Sequence, residues 1–211
     1  MMCMDSSIVI VIYQIVVLVF SVIIHEISHG FVAEELGDDT ARRAGRLTLN
    51  PIPHIDPFGS ILLPLILSLF PGGIVLGWAK PVPFNPLHFK NIRRGSMLVA
   101  LAGPVSNLLL AGIFALIARG ILFFGLLDLL FVIPFLKVII VLNIVLAVFN
   151  LVPIPPLDGS KVLFYFLPRR MERVEMLFEQ YGFFILILFI VFGVDFIHPI
   201  IEALYRFFVG A

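Results

Sequence analysis

Long apolar runs separated by short polar, proline-rich stretches set the pattern of this chain. Asp5, Ser6 and Ser7 offer N-cap chemistry before an apolar run from Ile8 to Ile24. The pattern continues through His25–His29 and Gly30–Ala33, predicting one helix that ends near Glu35 with Gly37 as its C′ residue. Arg46–Leu49 predicts a short strand, and the proline-punctuated Asn50–Pro57 a loop. Phe58–Ala79 is apolar but broken by Pro64, Pro71, Gly72, Gly73 and Gly77. Met97–Ala118 is a clean span, and its Ala100, Ala102, Gly103 and Ser106 would let another helix approach closely. Gly120–Val152 is too long for one crossing; Gly125, Asp128 and Pro134 permit a turn, and Pro134–Val152 makes a span. A last span is expected over about Phe183–Ile201, with Asp195 and His198 reaching an interface. The predicted fold class is therefore an all-α polytopic membrane protein in a single domain, 1–211. It has about four full transmembrane helices, a re-entrant or hairpin segment over 58–79, and short β-strand or loop elements between helices.

Composition supports the membrane assignment. Of the 211 residues, 61% are hydrophobic and 13% charged, whereas soluble domains sit near 45–50% and about 25%. The mean hydropathy is +1.13. A net charge of zero gives no electrostatic case for nucleic acid as a partner. Cys3, the single cysteine, has no internal disulfide partner. The first apolar run lacks a basic flank and carries the chain's main polar motif, so it is not expected to be a cleaved signal peptide. No internal repeat or appended soluble domain is evident.

That motif is His25-Glu26-Ile27-Ser28-His29, an H-E-x-x-H pattern. Residues four apart share a helix face, so both imidazoles can reach one ion. Glu26 follows the first ligand, where its carboxylate can hold and deprotonate a water at the metal. Two buried histidines and a glutamate at a plain helix interface would be costly in so apolar a segment. At 1.5 Å per residue His25 lies roughly 26 Å along from Ile8, within a hydrocarbon core about 30 Å thick.

A catalytic zinc takes three protein ligands and an open position, and no third histidine follows at a fixed short spacing. Asp158 is the best candidate, after the proline-stiffened Asn150–Leu157 exit from a span; by spacing alone an Asp-Gly turn explains it equally well. His54 and Asp56 are read as a polar loop at the mouth of the site in preference to extra ligands. Asn107 is read as interhelical glue in preference to a site residue. Both His54 and Asn107 are kept as candidate substrate or access contacts.

Orientation follows from charge. If Phe58–Ala79 enters and returns, the basic residues at 42, 43, 46, 80, 90, 93, 94, 161, 169, 170 and 173 share one side, assigned to the cytoplasm. A full crossing would split them and would carry Asp158 away from His25. Both termini are then outside and the site opens to the cytoplasm of a prokaryotic cell.

With these residues in place the chain resembles the site-2 protease family of intramembrane zinc metalloproteases, peptidase family M50, in a short form without PDZ or CBS domains. The resemblance rests on His25–His29, on Asn150–Gly159 (NLVPIPPLDG) and on Ala102–Asn107 (AGPVSN), and covers roughly Val22–Phe166. It implies that His25, His29 and Asp158 bind one Zn2+ per chain and that Glu26 is the catalytic base. It also implies that Asn150 engages substrate backbone or the oxyanion, and that Gly159 allows a tight turn. The implied substrates are membrane proteins with a transmembrane helix, cleaved within the lipid bilayer. The chain departs from many relatives in lacking a span before the HEISH helix, which bears on substrate choice and regulation. A metal-ion transporter would also place histidines and an aspartate in the bilayer, but does not account for Glu26 or Asn150. A catalytically silent scaffold does not account for an intact motif.

Overall fold

A computed structural model of the chain describes residues 2–56, Gly59 and 79–210. Among the described residues the regular structure is helical, and four helical segments are long and apolar enough to cross a membrane: Ile8–Glu35, Ile92–Phe123, Leu127–Asn150 and Glu172–Phe192. The α-helices are α1 (Met2–Glu35), the short α2 (Thr40–Arg43), α3 (Ile92–Phe123), α4 (Ile133–Asn150), α5 (Asp158–Phe166), α6 (Glu172–Phe192) and α7 (His198–Val209). The chain is a multi-pass membrane protein.

Helix α3 is the hub, packed on α1, α4, α5 and α7. Its buried positions Gly95, Val99, Gly103, Asn107, Ala111, Ala115 and Ala118 recur every three or four residues and are mostly small, so one face lets neighbouring backbones come close. Ala111 and Ala115 meet Ile140, Ile144 and Val148 of α4, and Val152, Leu157, Leu186 and Ile197 complete this cluster. Much of α1 from Ile8 to Phe20 is exposed on the protein, as lipid-facing surface must be.

Helix α1 ends at Glu35 as expected, and Gly37 takes the positive φ (103°) of a C′ residue. Asp38, just beyond, is fully buried and accepts from Thr40 N (3.2 Å), Thr40 Oγ1 (2.5 Å), Asn85 N (2.6 Å) and His88 Nδ1 (2.7 Å). The end of α1 is thereby tied to the strap Lys80–Asn85. That strap is held at two further points: Lys80 N donates to His54 O (2.9 Å), and Arg46 Nη2 donates to Lys80 O (2.6 Å).

Two expectations are corrected. Arg46–Leu49 is not a strand; no strand forms among the described residues. Its polar groups are used otherwise: the Arg46 side chain turns inward to Lys80 O, and His54 Nε2 donates to Thr48 O at 2.9 Å. The last membrane helix is Glu172–Phe192, about ten residues earlier than 183–201. Hydropathy alone missed that the polar Glu172–Gln180 stretch is rich in helix formers. Gly193 then ends the helix, and Pro199 sits in the first turn of a separate helix, α7. Asp195 lies in the intervening turn and His198 opens α7, both exposed. The re-entrant or hairpin segment expected over 58–79 lies, apart from Gly59 and Ala79, outside the described residues.

Candidate metal centre

His25 and His29 sit one turn apart on α1, both more than nine-tenths buried, with rings 4.7 Å apart and near perpendicular. Each ring is held from behind by an acceptor. His25 Nδ1 lies 2.6 Å from Asn107 Oδ1, and His29 Nδ1 lies 2.7 Å from the carbonyl oxygen of Val99. A carbonyl oxygen only accepts, so each Nδ1 carries the hydrogen and each Nε2 is left with a bare lone pair. Both Nε2 atoms point at one oxygen, Asp158 Oδ2, at 3.1 Å from His25 and 3.3 Å from His29.

This arrangement fits a metal ion. Two bare nitrogens and a carboxylate oxygen facing one another have no hydrogen to share, so a cation is what satisfies all three. The spacing agrees: ligand atoms about 2.0–2.1 Å from a tetrahedral ion are about 3.3 Å apart. Among the described residues this is the one cluster of histidine, cysteine or acidic side chains that could hold an ion.

Close packing makes the convergence work. A Cβ on Gly103 would lie 2.5 Å from Cε1 and Nε2 of His25, so α3 passes the imidazole at a distance that only glycine permits. A Cβ on Gly159 would strike the carbonyl oxygens of Leu151 and Val152, so the turn carrying Asp158 folds against its own preceding loop.

Glu26 lines the same cavity, about 250 Å³, together with Asn150, Val82 and Lys161. Its Oε2 accepts from Val82 N at 2.8 Å, so the strap orients the carboxylate. Behind the strap, Arg46 is buried within electrostatic reach of Glu26, which raises the guanidinium pKa against the larger lowering by burial. Asn150 ends α4 with Nδ2 donating to Leu146 O at 2.9 Å, leaving its second amide hydrogen for the cavity.

The structure brings His25, Glu26, His29, Asn150 and Asp158 to one cavity, and places the other two candidates elsewhere. Asn107 is fully buried behind the His25 ring, and its Nδ2 donates to Asn143 Oδ1 (2.8 Å). It bridges the helices behind the ring and does not line the cavity. His54 is buried in its own loop, bonded to Thr48 and supporting Lys80, and does not line the cavity. Sequence reasoning missed Val82 N and Val99 O, which are backbone groups no residue identity marks. It also missed Lys161, Asn143 and Ser21; a polar residue inside a span was the available sign for the last two.

The model of the family described as Peptidase family M50 matches residues 126–191. The chain is 43% identical over 188 residues to "Putative zinc metalloprotease YwhC" of Bacillus subtilis, covering 84% of this chain and 80% of that protein. It is 34% identical over 188 residues to "Putative zinc metalloprotease Rip2" of Mycolicibacterium smegmatis, and 35% identical over 172 residues to the protein of that name in Mycobacterium tuberculosis H37Rv. Each of these two matches covers 81% of this chain and 63% of the relative, so the chain spans under two thirds of their length. No solved structure matches.

Proposed function

The chain belongs to peptidase family M50 as a multi-pass membrane zinc metalloprotease, and on that premise we propose that it hydrolyses peptide bonds in or near transmembrane segments of membrane-protein substrates, in the manner of regulated intramembrane proteolysis. Residues 1–211 act as one protease domain in a prokaryotic cell membrane, with both termini outside and the cavity open to the cytoplasm. The shared side of the basic residues supports this orientation. His25, His29 and Asp158 hold one zinc ion. The observation that carries the reading is the meeting of two oriented Nε2 atoms and Asp158 Oδ2 in a cavity that also holds Glu26.

When bound, zinc supplies Lewis acidity that polarises a carbonyl and makes water acidic near neutral pH. Glu26 is the base. Its Oε2 is committed to Val82 N–H, so Oε1 is free to take the proton of the attacking water and later deliver it to the leaving amine. The free amide hydrogen of Asn150 donates to the carbonyl oxygen as negative charge develops there. Pro81, Val82 and Phe84 of the strap and Pro156 and Leu157 of the turn wall the cavity, so a substrate helix must unwind to present a carbonyl to Glu26.

Cleavage of a reporter transmembrane substrate by wild type, Glu26→Gln and Asp158→Ala, with metal content measured on each, tests this. Glu26→Gln is expected to keep zinc and lose about 10²–10⁴-fold in rate, and Asp158→Ala to lose zinc. Wild-type cleavage by zinc-loaded Glu26→Gln would remove the mechanism.

A further inference from the structure

Behind the metal centre runs a chain of buried amides whose directions are fixed from one end. It starts at a backbone carbonyl, Ile139 O, which can only accept. Asn143 Nδ2 donates to it at 2.9 Å and to Ser21 Oγ at 3.0 Å. With its nitrogen committed there, Asn143 presents Oδ1 to Asn107 Nδ2 at 2.8 Å. The same Asn107 nitrogen lies 3.4 Å from Ser21 O. Asn107 is left with Oδ1 towards His25 Nδ1, 2.6 Å away. Ser21, Asn107 and Asn143 come from three different membrane helices, and all are buried.

We propose that Asn143 is a positioning residue for the metal centre: without touching any ligand, it decides which nitrogen of His25 carries the hydrogen. The logic is steric and electrostatic. Were the Asn107 amide turned over, its NH₂ would face His25 Nδ1 and its oxygen would face Asn143 Oδ1, two acceptors at hydrogen-bond distance. Asn143 forbids that arrangement because Ile139 O holds it in place. Remove Asn143, and only the longer 3.4 Å contact with Ser21 O still favours the original orientation of Asn107, so the turned-over amide becomes accessible. The turned-over amide donates to Nδ1, which drives the hydrogen to Nε2 and blocks the nitrogen that faces Asp158. Groups that orient a ligating histidine from its far nitrogen typically govern 10–100-fold in metal affinity. The interior of a membrane protein offers no bulk water to substitute for the missing partner.

The inference rests on His25 being a ligand, and the test separates the two. Zinc affinity of the full-length protein in detergent is measured by chelator competition for wild type, His25→Ala, Asn143→Leu, Asn143→Asp and Asn107→Asp, and for Asn143→Leu combined with Asn107→Asp. Metal-free samples labelled with ¹⁵N-histidine report the His25 tautomer. Asn143→Leu is expected to bind zinc 10–100-fold more weakly and to show His25 with hydrogen on Nε2. Asn143→Asp, protonated in this setting, still donates to Ile139 O and accepts from Asn107, so it stays within about threefold of wild type on the same scale. In the Asn107→Asp background the carboxylate, ionised against His25 Nδ1–H, offers only acceptors and has no donor face to turn, so the Asn143→Leu penalty disappears. Unchanged affinity in Asn143→Leu, or an equal penalty in both backgrounds, overturns the proposal while His25→Ala still loses zinc. Wild-type affinity in His25→Ala sinks the ligand reading and the proposal with it.

Discussion

Replacing Gly103 by alanine adds a single methyl group, and the structure says where it goes. That Cβ would lie 2.5 Å from both Cε1 and Nε2 of His25 and 2.7 Å from Cδ2, whereas ordinary contact begins at 3.4 Å. The ring or the helix must yield by about 0.9 Å, the difference of those two distances. Metal–ligand bonds tolerate about 0.2 Å. The ring cannot simply retreat, because its far nitrogen is bonded to the buried Asn107 at 2.6 Å. Gly103→Ala therefore removes His25 as a ligand, at a cost above the 10–100-fold of an orienting group. The expected loss is about 100-fold or more in zinc affinity, close to 3 kcal/mol, with cleavage abolished. Gly120→Ala is the control in the same helix. Nothing lies within 4 Å of its Cβ, so affinity should hold, and helix preference favours alanine by up to about 1 kcal/mol. Affinity comes from chelator competition and activity from a reporter substrate. A Gly103→Ala protein that binds zinc within threefold of wild type and cleaves normally would refute the close approach of α3 to His25.

Three further outcomes are expected. Arg46→Met removes the charged donor to Lys80 O that anchors the strap behind Glu26. It should cost about 1.5–3 kcal/mol of stability and slow cleavage while zinc content is unchanged; loss of zinc would show that Arg46 acts elsewhere. Asp38 has a folded pKa below its ordinary 3.8: burial raises it, but bonds from Thr40, Asn85 and His88 lower it further. Its contribution is thus present above about pH 3.8 and lost as pH falls through the lower folded value. The gap in thermal stability between wild type and Asp38→Asn should accordingly be widest near neutrality and narrow below pH 3.8, and a gap independent of pH contradicts the assignment. Gly159→Ala drives a methyl group into the carbonyl oxygens of Leu151 and Val152, which are backbone and cannot step aside. Folded yield should fall sharply, and wild-type yield and melting temperature would count against the tight turn.

How much of this was legible in the sequence depended on whether side chains or backbone carried the information. The four-residue spacing of His25 and His29 already placed two imidazoles on one face, and Gly37 marked where their helix stops. The small residues around Gly103 announced a close approach, though not that an imidazole would fill it. Backbone donors and acceptors left no trace: any residue at 82 except proline could offer the N–H that holds Glu26, and any residue at 99 the carbonyl that holds His29. The last membrane helix starts earlier than its apolar content indicates, because the helix-forming Glu172–Gln180 stretch is polar while the apolar Val194–Ile201 lies beyond the stop at Gly193. The strand expected at Arg46–Leu49 failed because Arg46 is drawn inward, an interaction local sequence does not reveal.

The depth of the centre follows from one helix being short. Measured along α3 from Ile92, Val99 is roughly 10 Å in, Gly103 16 Å and Asn107 22 Å. Their partners on α1 are His29, His25 and the Ser21 backbone, so α1 and α3 run side by side in opposite directions from one surface. Asn143 of α4 meets Asn107 and so shares its depth, roughly 22 Å on the same scale. Seven residues later α4 ends at Asn150, which brings it only about 10 Å back towards the surface. The chain therefore leaves helical structure some 12 Å inside the level of Ile92. That is where the Leu151–Leu157 turn lies, and why Asp158 meets two histidines at depths of roughly 10 and 16 Å. Non-helical backbone at such depth survives only where protein or a cavity surrounds it; here Gly182 of α6 packs on Pro155, and Gly159 packs on the turn's own carbonyls. Helix α5, nine residues long, then covers about 13 Å, which is the distance the short α4 left uncrossed. A full-length α4 would have delivered Asp158 to the surface, beyond reach of His25, and the cavity would have had no third ligand.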